Sequence, residues 1–282
     1  EVVTGLIDRV QEDGECDLVR DLAAPLPMRM IAELLGVPPS DGDMLQEWSD
    51  HLISGADDPR YRTEEVMLAA LGFAGYADRI IEERRADPRG DLLSLLVHAT
   101  DEGQGLSHEE LIGESMLLLV GGNETTRNAI SGGFEALLRD TDQRDRLVQD
   151  TSRVPRAGEE FLRWVSPIIN MARTTTCDVT VGDTVIPAGD QVLLMYGAAN
   201  RDGQVFDQPE RFDTTREPNP HVSFGFGTHF CLGASLARLE IKVMIEEVLT
   251  RLPGIRLADP EAPVARTPSS FIRGIPSLPV VW

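Results

Sequence analysis

The chain of 282 residues contains only three cysteines, Cys16, Cys177 and Cys231, and no two of them stand at a disulfide-framework or metal-finger spacing. A disulfide scaffold and a cysteine-rich zinc module are therefore not expected, and the sparse, odd count suits a reducing compartment. Basic residues are also scarce: 26 Lys and Arg face 47 Asp and Glu, for a formal net charge of −21. Binding to a phosphate backbone wants a basic face, so no nucleic-acid partner is expected. The acidic excess reads instead as a solubilising surface. Long hydrophobic runs are missing. The longest candidate, Met116-Leu117-Leu118-Leu119-Val120, ends at a glycine pair and a glutamate, well below the ~20 residues that span a bilayer. The opening Glu1-Val2-Val3-Thr4 has no basic start and no apolar signal core, so export is not expected and the location reads as cytoplasmic. Internal repeats, low-complexity linkers and flavin or nicotinamide motifs are absent too, and a single domain over 1–282 is expected.

What is present is globular: 41% hydrophobic and 26% charged residues, in a chain long enough to bury a large core. Apolar residues recur at helical spacing through the first two thirds. Helices are expected over Pro25–Leu35, Asp41–Ile53, Glu64–Arg85 and, with Asp91 as N-cap, Asp91–Ala99. Ser107 and Glu110 form a capping-box pattern that opens the longest periodic run, Glu109–Leu138, and such a helix should cross the whole body. Another helix is expected over Ala157–Val165. From Thr174 to Leu194 the residues alternate and are β-branched, with turns at Gly182-Asp183 and Pro187 to Asp190, which reads as a small antiparallel sheet. Asp202–Pro220 is turn-rich, Cys231–Arg251 is helical again, and short strands lead to Trp282. The fold class is mainly α with a small antiparallel β part.

The strongest chemical signal is Phe224-Gly225-Phe226-Gly227-Thr228-His229-Phe230-Cys231-Leu232-Gly233. Alternate glycines allow a tight turn where a side chain would clash. Cys231 then sits just before a helix, where N–H groups and the helix dipole favour a thiolate and would tune an iron bound to it. A plain glycine-rich turn with a buried cysteine would not require this register. Gly121-Gly122-Asn123-Glu124-Thr125-Thr126 falls in the middle of the long helix. Two glycines there cost about 1 kcal/mol each relative to alanine, and the gain is room beside a carboxylate and a hydroxyl, with a locally opened helix that can admit a small ligand. Glu160 and Arg163 stand at E-x-x-R helical spacing, by itself an ordinary ion pair.

These segments, in this order, resemble the haem-ligand loop, oxygen-binding helix and E-x-x-R helix of the cytochrome P450 family. The resemblance implies haem b (iron protoporphyrin IX), with Cys231 as axial ligand to iron and the glycines of its loop, Gly225, Gly227 and Gly233, together with Phe224, against the cofactor. His229 and Arg173 fall where propionate partners are expected. Gly121 and Gly122 would line the oxygen groove, with Glu124 and Thr125 relaying protons. Glu replaces the Asp common at that position, which changes reach but not chemistry. In the family the E-x-x-R pair locks onto an arginine of the irregular stretch; Pro209-Glu210-Arg211-Phe212 has the matching pattern, so Arg211 is expected as third member of a folding network with Glu160 and Arg163.

The implied activity is insertion of one oxygen atom of O2 into an unactivated C–H bond. Electrons would come from a ferredoxin served by an NAD(P)H-dependent reductase, and Arg238 and Lys242 would lend a local basic face to that partner. Asp21–Met28, Ser166–Met171 and His221–Glu240 look most like actinobacterial steroid or sterol side-chain 26-monooxygenases. Leu117, Val120, Ile168, Ile169, Met171, Phe271 and Ile272 are the expected pocket for a hydrophobic small molecule, which fits a macrolide, a terpene or a fatty acid almost as well. A peroxide-driven enzyme and a non-catalytic, haem-deficient chain are the rival readings. The family's usual N-terminal third has no counterpart here, so a shortened fold with an incomplete pocket is expected. Cys16 and Cys177 match no motif.

Overall fold

The computed structural model describes residues 1–54, 63–101 and 103–282. Helix α1 (Val2–Val10) leads to strand β1 (Glu15–Asp17) and a wide helical turn, Leu18–Ala23, capped by Asp17. Helix α2 (Pro25–Leu35) starts on prolines, whose fixed φ suits a first turn, and stops at Gly36 in the left-handed region. Helix α3 (Gly42–Ser54) and helix α4 (Glu64–Ala86) pack side by side, with Trp48 of α3 edge-on to Phe73 and Tyr76 of α4. Asp91 caps helix α5 (Leu92–His98) by accepting from the Ser94 N–H at 2.8 Å, and its other oxygen takes Nε of buried Arg84 at 2.6 Å. Two short strands, β2 (Thr100–Asp101) and β3 (Gln104–Gly105), form a hairpin.

The expected long helix is α6 (His108–Arg139), 32 residues with the full Ser107/Glu110 capping box, hence about 48 Å long. It packs against α2, α3 and α4 on one stretch and against helix α8 (Val154–Val165) and helix α10 (Ala234–Arg251) on another, with the short helix α7 (Thr141–Gln149) following it. Two apolar clusters result. Leu111 and Leu119 join α2, α3, α4 and α5 in one; Ala129, Ile130, Phe134, Leu137 and Leu138 join α1, α8 and α10 in the other.

The β part is a set of small antiparallel pairs. Strand β4 (Asn170–Thr174) pairs with β7 (Gln191–Met195), and between them lies the hairpin of β5 (Val179–Val181) and β6 (Thr184–Ile186). The short helix α9 (Tyr196–Ala199) follows, and strands β8 (Arg256–Leu257) and β9 (Pro279–Val281) close a three-stranded sheet with β1, in the order β1-β9-β8. Most expected helices stand within three residues of their bounds. The helix expected from Cys231 starts at Ala234, because Cys231 still belongs to the turn that presents it.

Candidate active site

The Cys231 loop is built by glycine. Gly225 and Gly227 hold φ at +73° and +72°, the left-handed region that favours a residue without Cβ. A short 3-10 turn, Gly227–His229, follows, and the Cys231 amide donates to the Phe224 carbonyl at 2.9 Å. That closure leaves the Cys231 side exposed, beside Phe226, Phe230 and Leu232, which are 90%, 52% and 88% exposed. Apolar side chains gathered this openly mark a binding face. Partial burial pushes the Cys231 thiol above its ordinary value, opposed by the Gly233 N–H and by the charge of Arg238. The expectation of a thiolate stabilised by its surroundings therefore does not hold for the chain by itself, where burial outweighs these two contributions; a cation on the sulfur would favour deprotonation.

The loop is held from behind by buried polar contacts. Asn200 is fully buried; its amide donates to the hydroxyls of Ser166 (2.8 Å) and Ser223 (2.9 Å), and its oxygen accepts from the Val222 N–H at 2.8 Å. Beneath it, Arg163 and Glu160, both 0% exposed, meet in a two-pronged pair with both distances 2.8 Å. Arg163 also donates to the carbonyls of Asn200, Pro209 and Arg211. The expected third member needs correcting. Arg211 contributes only its carbonyl, while its guanidinium points outward to Gln208 at 3.4 Å. Arg216 takes the place instead, its Nε 3.2 Å from Glu160 Oε2 and its terminal nitrogens on the carbonyls of Asp207, Gln208 and Arg211. The chain turns between the two, and that turn points residue 216 inward.

On α6, Leu117, Gly121 and Thr125 follow one another at four-residue spacing on an open face, with Leu117 63% exposed. The two central glycines have different reasons. At Gly121 an added Cβ would reach only Leu117 at 3.9 Å, whereas at Gly122 it would stand 2.3 Å from Ile31 Cδ1 of α2. Gly122 is therefore a close-packing residue, a correction to its expected place in a groove. The helix itself is unbroken, and Thr125 Oγ1 donates to the Gly121 carbonyl at 2.8 Å. Glu124 is 2% exposed. Its Oε2 accepts from Arg127 at 2.6 Å, and Oε1 has no protein partner. Burial pushes its acid up, Arg127 pulls it down and Asp50 of α3 raises it again, to about 7.

Arg173 on β4 and His229 are exposed and have no carboxylate partner among the described residues; Arg173 donates only to the Ala172 carbonyl. Of the expected pocket, Ile168 bridges to Ile272 and the Ile169 N–H donates to the Phe271 carbonyl at 2.8 Å, so these segments do meet. Ile272 is only 4% exposed and serves packing; Ile168, Ile169, Met171 and Phe271 are half-buried, as is Val120 on α6. Arg238 and Lys242 are not free cations. Arg238 is held by Glu159 at 2.8 and 3.1 Å and lies 4.6 Å over the Phe224 ring, and Lys242 stands 3.7 Å from Glu246. Sequence reasoning missed Asp50, Arg127, Arg216 and the buried Glu240 of α10; only Arg127, three residues after Glu124, carried a readable signal.

No helix among the described residues is long and apolar enough to cross a membrane. The family model of cytochrome P450 matches residues 62–253. The chain is 49% identical to the steroid C26-monooxygenase of Mycolicibacterium smegmatis, over 98% of its own length and 69% of that protein. It is 44% identical to the methyl-branched lipid omega-hydroxylase of Mycobacterium bovis, over 96% of this chain and 63% of that one. Among solved structures, CYP109E1 from Bacillus megaterium in complex with testosterone superposes with a TM-score of 0.90 at 37% identity, covering 99% of this chain and 76% of that chain. A cysteine presented by an open glycine turn, a buried E-x-x-R pair behind it and these likenesses lead to one conclusion: this chain belongs to the cytochrome P450 family and is a P450 monooxygenase.

Proposed function

We propose that this monooxygenase binds haem b through Cys231 and hydroxylates an apolar, branched side chain, that of a steroid or sterol. Family membership implies haem, dioxygen, redox partners and a hydrophobic substrate. The residues present fit haem: an exposed thiol, apolar neighbours Phe226, Phe230 and Leu232 suited to a flat macrocycle, and the exposed Arg173 guanidinium and His229 imidazole as donors to its propionates. The bound group supplies the dioxygen chemistry, helped by electron density from the thiolate.

The chain's own residues do the rest. Cys231 binds iron, with the Gly233 N–H on its sulfur. Burial outweighs its arginine and raises the Glu124 acid to about 7, so the carboxyl takes up and releases a proton near neutral pH, and a group poised near the working pH is an effective relay. The Thr125 hydroxyl faces the open side of α6 and passes that proton on. The half-buried Ile168, Ile169, Met171 and Phe271, with Leu117 and Val120, exclude water from an apolar substrate. The reaction balances as substrate C–H plus O2, two electrons and two protons, giving the alcohol and water. A ferredoxin fed by an NAD(P)H-dependent reductase is the proposed electron source.

The observation that carries the substrate class is the 49% identity to a steroid C26-monooxygenase, against 44% to a methyl-branched lipid omega-hydroxylase. The test has two steps. The reduced protein with carbon monoxide should show a thiolate-shifted Soret band that Cys231→Ala abolishes; no haem spectrum would overturn the cofactor reading. Titration with cholest-4-en-3-one, a methyl-branched fatty acid and a macrolide should then give the largest spin-state change with the steroid. A larger response to either other ligand would overturn the steroid assignment.

A further inference from the structure

Glu124 does not face its arginine alone. Arg127, one turn further along α6, spans two carboxylates: its Nη2 lies 2.6 Å from Glu124 Oε2, and its Nη1 2.9 Å from Asp50 Oδ1 of α3. Its Nε is buried without a protein partner, as is Glu124 Oε1. One residue before Asp50, the buried Ser49 hydroxyl accepts from the amide of Asn123, itself fully buried and next to Glu124, at 3.1 Å. Two consecutive residues of α3 thus grip α6 on either side of Glu124. Gln46, one helical turn earlier, donates to the same Asp50 oxygen at 2.9 Å and fixes its direction.

The charge balance follows from this wiring. Two carboxylates share one guanidinium, so with both ionised the trio carries net charge −1 around a carboxyl that is 2% exposed. Desolvation penalises that charge, and the penalty falls on Glu124, whose carboxyl is the buried one. The charged groups acting on Glu124 are Arg127 from its own helix and Asp50 from α3; the buried Glu240 of α10 has Thr126 as its polar neighbour instead.

We propose that Asp50 and Arg127 are positioning residues for the monooxygenase reaction: by sharing Arg127 with Glu124 and setting a second negative charge beside it, Asp50 keeps a proton on the relay carboxyl while α3 is seated on α6. This rests on the relay role proposed above for Glu124. It ties the protonation of that carboxyl to the seating of one particular helix, through residues that touch neither iron nor substrate.

The test uses the full-length chain with haem. The Glu124 titration is followed by carboxyl infrared difference spectra, assigned with Glu124→Gln, beside the pH profile of product formed per NAD(P)H consumed. Asp50→Asn should move the Glu124 titration to lower pH by about one unit, and Arg127→Gln should move it upward. Thermal unfolding of both variants establishes that they are folded. An unmoved titration in folded Asp50→Asn, or a shift of the same sign in both variants, would overturn the proposal. If the titration moves as expected but coupling does not follow it, the Asp50–Arg127 latch stands and the relay role of Glu124 fails. If both move together, both stand.

Discussion

The reassignment of the third network member from Arg211 to Arg216 yields a sharp prediction. Arg216 has a side chain 8% exposed and makes an ion pair with Glu160 at 3.2 Å plus three hydrogen bonds to carbonyls. Its loss leaves Glu160 still held by Arg163, by the Asp213 N–H at 2.8 Å and by Asn219 at 3.2 Å, so no charge is orphaned. The cost is therefore one charge-assisted contact, about 1.5–3 kcal/mol, with the three carbonyls near enough to the surface to rehydrate. Glu160→Ala is a different matter: it strands the Arg163 guanidinium at 0% exposure, and one partner of a buried pair removed in this way costs about 3–5 kcal/mol. Arg211→Ala removes a surface contact of 3.4 Å to Gln208 and should stay within about 0.5 kcal/mol. Urea unfolding of the haem-loaded protein, with each variant at the same haem occupancy, ranks the three. The expected order is Glu160→Ala, then Arg216→Ala, then Arg211→Ala close to the parent. Arg211→Ala as damaging as Arg216→Ala would refute the assignment.

Three further variants probe α10 and the middle of α6. Burial pushes the Glu240 acid to about 8 from an ordinary 4.5, with the Thr126 hydroxyl pulling back. The folded state then keeps a proton that the unfolded chain releases, so stability falls as pH rises from about 4.5 to about 8, at most by about 1.4 kcal/mol per pH unit. Glu240→Gln should flatten that slope in urea unfolding series between pH 5 and 9, and an unchanged slope would show that Glu240 ionises normally. The neighbouring glycines of α6 should part company. Gly121→Ala, with open space before it, should stabilise by up to about 1 kcal/mol through helix propensity. Gly122→Ala drives a methyl into Ile31 and should destabilise by about 1–2 kcal/mol, as overpacking does; equal melting temperatures for the two variants would refute the distinction.

What the sequence disclosed, it disclosed through local chemistry. Pro25 and Gly36 bracket α2 and Ser107 with Glu110 opens α6, because caps and breakers act within a turn of where they stand. The Cys231 loop was readable for the same reason: two glycines at positive φ and a cysteine sit within ten residues. Contacts between distant elements were not readable. Asp50 and Arg127 are 77 positions apart, and nothing in either segment announces the other. Gly122 reads as ligand space in the sequence because a mid-helix glycine looks alike whether a ligand or Ile31 occupies the room. The Pro209–Phe212 pattern points to Arg211 and nothing in the sequence points to Arg216, because a motif fixes residue types in a stretch without regular periodicity, where only the path of the chain decides which side chain turns inward.

The placement of the polar segment on α6 has a physical logic of its own. The helix belongs to one apolar cluster up to Leu119 and to the other from Ala129 onward. Between them, after Val120, stand Gly121, Gly122, Asn123, Glu124, Thr125, Thr126, Arg127 and Asn128, none with a large apolar side chain. A buried carboxylate inside either cluster would face desolvation with no partner. At the seam the polar stretch meets partners from both sides: Ser49 of α3 takes Asn123, Asp50 of α3 takes Arg127, and Glu240 of α10 faces Thr126, while Leu45 of α3 belongs to the first cluster and Ile241 of α10 to the second. The seam is not fully satisfied. Asn123 Oδ1, Glu124 Oε1, Arg127 Nε, Asn128 Oδ1 and Glu240 Oε1 are all buried without a protein partner, and a native fold keeps few such atoms without a use for them. Four of the five lie on the one polar stretch of α6 and the fifth faces it from α10, a placement that suits the relay role proposed for Glu124. On that view substitutions within either cluster change stability first, and substitutions along the seam change the pH at which the enzyme works.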